Sequence, residues 1–81
     1  MRILLRHIRT GHYYMGNLEW TLEAKDATDF STIDHAIDLV IHDELDGMSL
    51  IVRYPDSEYE QEFPLTEGTP AEKPVIHPLK D

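Results

Sequence analysis

Cations and aromatic rings crowd into the first fourteen residues: Arg2, Arg6 and Arg9, His7 and His12, Tyr13 and Tyr14. Such a mixture holds phosphates by charge and stacks bases on its rings, so this stretch is the sharpest binding candidate, with Arg6, Arg9, Tyr13 and Tyr14 as contact residues. Strand parity divides the set. Arg2 and Arg6 share a face with Ile8, whereas Arg9 points with Ile3, Leu5 and His7. The competing reading is that Tyr13, Tyr14 and Ile3 build core while the arginines pair with acids of the same domain.

A second constellation is His35, Asp38 and His42, which on a helix fall at i, i+3 and i+7 within about 60° of arc, and imidazole and carboxylate ligands on one face can bind a divalent ion. No fourth ligand accompanies them, and solvated polar residues on an exposed face account for the same spacing, so neither a metal nor another cofactor is expected. Catalysis has no good candidate either. Ser31, Ser49 and Ser57 fall at a cap, a strand face and a turn, without the base and orienter that an activated nucleophile needs. Glu58, Glu60 and Glu62 sit on a face that reads as wet, where nothing tunes a carboxyl for acid or base work. Gly11 and Gly16 mark tight turns, not a glycine-rich phosphate loop. Trp20, the single tryptophan, is expected as a core plug; exposed beside Tyr13 and Tyr14 it would instead be a partner hot spot.

The elements that position these residues follow from periodicity and punctuation. Arg2 to Thr10 reads as a strand, Thr10-Gly11 as a turn, and His12 to Met15 as the returning strand, closed by Gly16-Asn17. Residues 23–29 form a polar connection. A helix is expected from about Thr32 to Leu45, capped by Ser31 with Asp34 three residues on, and ended by Gly47. Its apolar stripe, Ile33, Ala36, Ile37, Val40 and Ile41, must face the sheet. Met48 to Tyr54 is a strand, Pro55-Asp56-Ser57 a turn, and Glu58 to Leu65 a second strand of clean alternation. Beyond it, Pro70, Pro74 and Pro78 interrupt any period, although Val75-Ile76-His77 retains enough apolar surface to dock.

Charge is as uneven as the pattern. Residues 1–25 carry a net +2, residues 26–65 hold eleven acids against Arg53 alone, and the whole chain of 81 residues stands at −9. A domain so acidic repels nucleic acid and anionic lipid. There is no cysteine, hence no disulfide and no thiolate chemistry. No run of 18 apolar residues occurs, and Met1 to Arg6 is too soon interrupted by charge for a signal peptide, so a cytoplasmic protein without membrane contact is expected.

The strings Arg9-Thr10-Gly11-x-Tyr13-Tyr14-x-Gly16, Trp20-Thr21 and Ala27-x-Asp29-Phe30 ahead of a helix resemble those of a group of short bacterial proteins of uncharacterised activity. The resemblance spans about residues 1–65 and implies no activity, ligand or catalytic residue. A wider likeness runs to the small sheet-plus-helix modules at the N-termini of phage-type integrases, which read DNA with a strand face.

The expected architecture is α+β, a mostly antiparallel four-stranded sheet with one helix packed on one face (ββ-α-ββ), over residues 1–65. A Pro-containing extended or disordered tail follows over residues 66–81. Leu4, Ile8 and Ile51 then share an uncovered sheet face, which points to a non-enzymatic protein-interaction module or a homodimer, with a protein partner or a second copy seated at Ile51. The alternative is nucleic-acid or phosphate binding through the first hairpin, which the overall charge disfavours.

Overall fold

The structure, a computed structural model, describes residues 1–66, 69, 70 and 72–79. Its strands are β1 (Arg2–His7), β2 (Tyr13–Gly16), β3 (Glu19–Thr21), β4 (Met48–Arg53), β5 (Tyr59–Thr66), β6 (Thr69–Pro70) and β7 (Val75–Pro78), and the α-helix α1 (Ile33–His42) lies between β3 and β4 in the chain. Neighbours run β3-β2-β1-β4-β5, all antiparallel, and β5 takes two further partners, β7 along Tyr59–Glu62 and β6 at Leu65 and Thr66.

The α+β class is the expected one, but four strands become seven. Three precede the helix and four follow it, in place of ββ-α-ββ. The additional strands are edges that alternation cannot reveal. β3 is three residues long, and β7 is bracketed by Pro74 and Pro78. Each is held by its longer neighbour's backbone: β7 matches Val75–Pro78 to the outer edge of β5, and the Leu79 amide extends the ladder to the Glu58 carbonyl at 2.6 Å. Residues 75–78 are thus a docked strand within the expected tail. Residues 67, 68, 71, 80 and 81 of that tail lie outside the described residues.

Helix α1 starts one residue later than expected. The Asp29 carboxylate accepts from the amides of Ile3 and Ser31 at 3.1 and 2.9 Å, and Ser31 adopts a left-handed φ of 68°. That turn passes the capping role to Thr32, whose hydroxyl accepts from the His35 amide at 3.1 Å. The helix also ends sooner, at His42, because Glu44 rather than Gly47 takes the left-handed position after it, with φ 53°.

The face that α1 buries is rotated from the expected stripe. Ala36 and Val40 are buried and Leu39 packs against the same cluster, together with Ile3, Leu5, Tyr14, Phe30, Met48, Leu50 and Val52. Ile33 and Ile41 remain 39 % and 61 % exposed, with Ile37 between them half-buried. The Tyr14 hydroxyl donates to Asp43, the residue that caps the helix, at 2.5 Å and ties that end of α1 to β2.

The opposite sheet face is not open, and the expectation for Leu4, Ile8 and Ile51 is corrected. The connection between β3 and α1, with a single 3-10 turn at Ala24–Asp26, folds back so that Ala24 and Ala27 pack on Leu4, Tyr13 and Ile51. Leu4 and Ile51 are fully buried, while Ile8 lies past the end of β1 and is exposed. Small alanine side chains let a polar connection lie flat on the sheet, which its composition alone did not announce. It then passes to the helix side where β1 and β2 diverge. Thr28 donates to the carbonyls of Tyr14 and Met15, and the Phe30 amide to the Ile3 carbonyl at 2.9 Å, so Arg6–Tyr13 is the one register pair between β1 and β2.

Candidate functional site

The antiparallel registers Arg2–Arg53, Leu4–Ile51, Arg6–Ser49, Ile51–Glu62 and Arg53–Glu60 put Arg2, Arg6, Arg53, Glu60 and Glu62 on the face away from α1. Tyr13 joins them opposite Arg6. The result is a network. Glu60 accepts from Arg53 Nε and Nη2 at 3.0 and 2.8 Å through one oxygen, and pairs with Arg6 Nη1 at 2.7 Å through the other. Both guanidiniums also donate to the Tyr13 hydroxyl at 3.1 Å, with their central carbons 5.6 and 5.8 Å from its ring centroid. Arg6 Nη2 reaches Glu62 at 3.4 Å, and Glu62 takes a second partner from β7, His77 Nε2 at 2.7 Å.

The electrostatics follow from this packing. Burial works against the Arg6 charge, but the Tyr13 hydroxyl and the Glu60 carboxylate outweigh it and raise the guanidinium further. Burial likewise opposes ionisation of Glu62, yet the adjacent Ser49 hydroxyl, His77 and Arg6 together hold its carboxyl below the usual range. Ser49 Oγ is buried close to that carboxylate but outside hydrogen-bond geometry, so it is a polar atom without a partner among the described residues. The wet face expected for Glu58, Glu60 and Glu62 is therefore corrected at Glu60, which is 3 % exposed. The arginines cover it.

The expected binding residues are scattered. Arg6 and Tyr13 belong to the network, Tyr14 is fully buried on the opposite face, Ile51 is fully buried, and Arg9 is exposed in the β1–β2 turn. Arg2 turns to backbone, donating to the carbonyls of Ala24 and Ala27 at 3.1 and 3.3 Å. Burial together with the bond to Asp43 raises the Tyr14 hydroxyl, and Tyr14 and His42 in turn lower the Asp43 carboxyl. His35, Asp38 and His42 do not converge. His35 bonds the Phe30 carbonyl at 3.0 Å, His42 bonds Asp43 at 2.8 Å, and among the described residues no group of three His, Cys, Asp or Glu side chains is placed to hold a metal ion.

Trp20 is corrected from plug to half-exposed wall, its ring centroid 5.0 Å from Tyr14 and 5.9 Å from His7. β3 is an edge strand, so nothing beyond it completes the burial. Sequence reasoning also missed His77, which no periodicity tied to Glu62. The Arg53–Glu60 pair was within reach, since a hairpin turning at Pro55-Asp56-Ser57 sets the two opposite each other.

No known protein family, no curated protein and no solved structure matches the chain. Among the described residues no helix is long and apolar enough to cross a membrane.

Proposed function

We propose that this protein is a non-enzymatic protein-interaction module, at work in the cytoplasm, whose partner is a basic amphipathic segment of another protein. The observation that carries the reading is the rotation of α1. It leaves Ile33, Ile37 and Ile41, one helical turn apart, along a flank that the described residues cover only in part, with Ile33 and Ile41 exposed and Ile37 half-buried. His35 and Asp43 lean toward Phe30 and Tyr14 on the β2 side, so the isoleucines occupy the opposite flank, toward β5. There the helix-side residues of the outer strands, Phe63, Leu65 and Ile76, are only half-buried or exposed. Such a row is the complement of an amphipathic helix laid in a groove.

Charge favours a basic partner over a second copy. Asp34, Asp38 and Glu44 stand exposed around the isoleucine row, and two chains of charge −9 meeting there would oppose each other. The serines support a role without catalysis. Ser57 is engaged with the backbone of Tyr59, Ser31 holds a strained turn, and Ser49 is sealed under the sheet.

The test uses the full chain and a synthetic leucine-lysine amphipathic helix as probe, titrated by calorimetry against wild type and Ile41→Asp. That variant adds negative charge, so attraction by charge alone would tighten binding, whereas docking on the isoleucine row requires at least a tenfold loss. Equal or tighter binding by Ile41→Asp overturns the proposal. A dimer at tens of micromolar that Ile41→Asp dissolves would also overturn it, by making a second copy the occupant.

A further inference from the structure

Two of the three arginines of the first hairpin are occupied. Arg2 and Arg6 spend their donors on internal acceptors, while Arg9, His7 and His12 have no carboxylate within ion-pair distance among the described residues. The three lie in and beside the turn that closes the hairpin, where the amide of His7 bonds the His12 carbonyl at 2.7 Å and the amide of Gly11 bonds the His7 carbonyl at 2.9 Å. His7, Thr10, His12 and Trp20 there line a depression of about 390 Å³. That is at the small end of the range for ligand sites, roughly 300 to 1,000 Å³.

The hydrogen bonding sets what this depression offers. His7 Nδ1 accepts from the Thr10 amide at 3.3 Å, which in the neutral ring assigns the proton to Nε2 and makes that atom a donor. Nε2 faces the other way, toward Gly47 in an adjoining depression that Ile8, Arg9 and Asp46 also line, where a side chain on Gly47 would begin 3.6 Å away, so the glycine keeps that space open. Trp20 backs the depression with an indole that is 37 % exposed and braced behind by Tyr14 and His7. Asp46, which lines the neighbouring depression with His7, Ile8, Arg9 and Gly47, opposes an anion there, as does the net charge of −9.

The geometry points to a binding site for a small aromatic phosphate of mononucleotide size that spans the two adjoining depressions, its ring stacked on Trp20 and its phosphate held between His12 on the Trp20 side and His7 Nε2 and Arg9 on the Gly47 side. A flat ring beside three cationic or donor groups matches a ligand with one aromatic and one anionic end. An isolated phosphate would leave the indole unused, and a nucleoside would leave the cations unused. The site does not depend on the isoleucine row of α1, so either is able to fail without the other.

Trp20 is the single tryptophan, and its fluorescence reads the site directly. Adenosine monophosphate titrated into the full chain is expected to change the emission saturably with sub-millimolar affinity. Adenosine and inorganic phosphate, run separately, are each expected to bind at least tenfold more weakly. His12→Ala and Arg9→Ala, both exposed or half-exposed in the hairpin, should each weaken the mononucleotide about tenfold while the circular dichroism stays native, and Asp46→Asn should tighten it several-fold. No saturable change up to about 10 mM overturns the proposal, as does affinity unmoved by His12→Ala or adenosine binding as tightly as its phosphate. Tighter binding of a single-stranded oligonucleotide than of the mononucleotide would overturn it in favour of a strand-binding surface.

Discussion

Replacing Glu60 by Gln removes one charge from the centre of the network while keeping the shape of the side chain. The side chain of Glu60 is 4 % exposed, whereas those of Arg6 and Arg53 are 18 % and 24 % exposed and keep a path to water. Breaking a fully buried ion pair costs about 3 to 5 kcal/mol, because the surviving charge is left uncompensated. An exposed pair is worth about 0 to 1 kcal/mol. With two partly hydrated guanidiniums released, and Glu62 still near one of them, the expected loss lies between, about 2 to 3 kcal/mol. For a domain of this size that lowers the melting temperature by roughly 10 to 20 °C. Urea unfolding followed by far-ultraviolet circular dichroism should show an earlier midpoint with an unchanged slope. A cycle with Arg53→Met should give a coupling above about 1 kcal/mol. A loss under about 0.5 kcal/mol for Glu60→Gln would refute the reasoning, since it would make the network an ordinary set of surface pairs.

Ile51→Lys is expected to unfold the protein, not to dissolve a dimer, because a fully buried position cannot hydrate an ammonium; a folded monomer by circular dichroism would contradict the burial. Thr32→Ala should cost about 1 kcal/mol through the lost cap, while Ser31→Gly should be neutral or stabilising by relieving its left-handed backbone; equal urea midpoints for the two variants would count against this capping scheme. Asp29, Asp43 and Glu62 all have folded carboxyls held below their ordinary values, Asp29 by the amides of Ile3 and Ser31, so the unfolded chain binds protons more readily than the folded one. Their contribution is complete above the unfolded values near pH 4 and is lost as pH falls through the folded ones. Urea midpoints measured from pH 7 to pH 2 should fall below about pH 4, less steeply in Asp29→Asn, and a midpoint flat across that range would contradict the assignment.

The sequence carried the elements better than their orientation. β1, β4 and β5 were legible because apolar side chains recur there at strand spacing, and α1 because five apolar residues recur at helical spacing. The rotation of α1 was not legible, since contacts such as Tyr14 to Asp43 join residues 29 apart in the chain. β7 was hidden for a related reason: Pro74 and Pro78 read as breakers, yet an edge strand bonds along one side and tolerates them. The site was half legible. Parity placed Arg2 and Arg6 on one face, and the acidic second hairpin supplied their natural partners, but Arg2 went to carbonyls instead. What covers a sheet face is a tertiary fact, and Ala24 and Ala27 carry no periodic signal of it.

The position of β1 has a consequence for synthesis. It lies in the middle of the sheet, and its partner β4 follows it by roughly 40 to 50 residues, as the pairs His7–Met48 and Arg2–Arg53 show. A ribosome adding about 5 to 20 residues per second delivers β4 on the order of 2 to 10 s after β1. For that interval Ile3-Leu4-Leu5 lacks its main ladder partner and has the weakly joined β2–β3 hairpin and, as they emerge, the Ala24–Ala27 connection and α1 to rest against, and the run is short, flanked by Arg2 and Arg6. Those two arginines, which in the finished sheet are half-buried on internal acceptors, are gatekeepers while the chain is incomplete, lending charge to the segment most able to pair with another nascent copy.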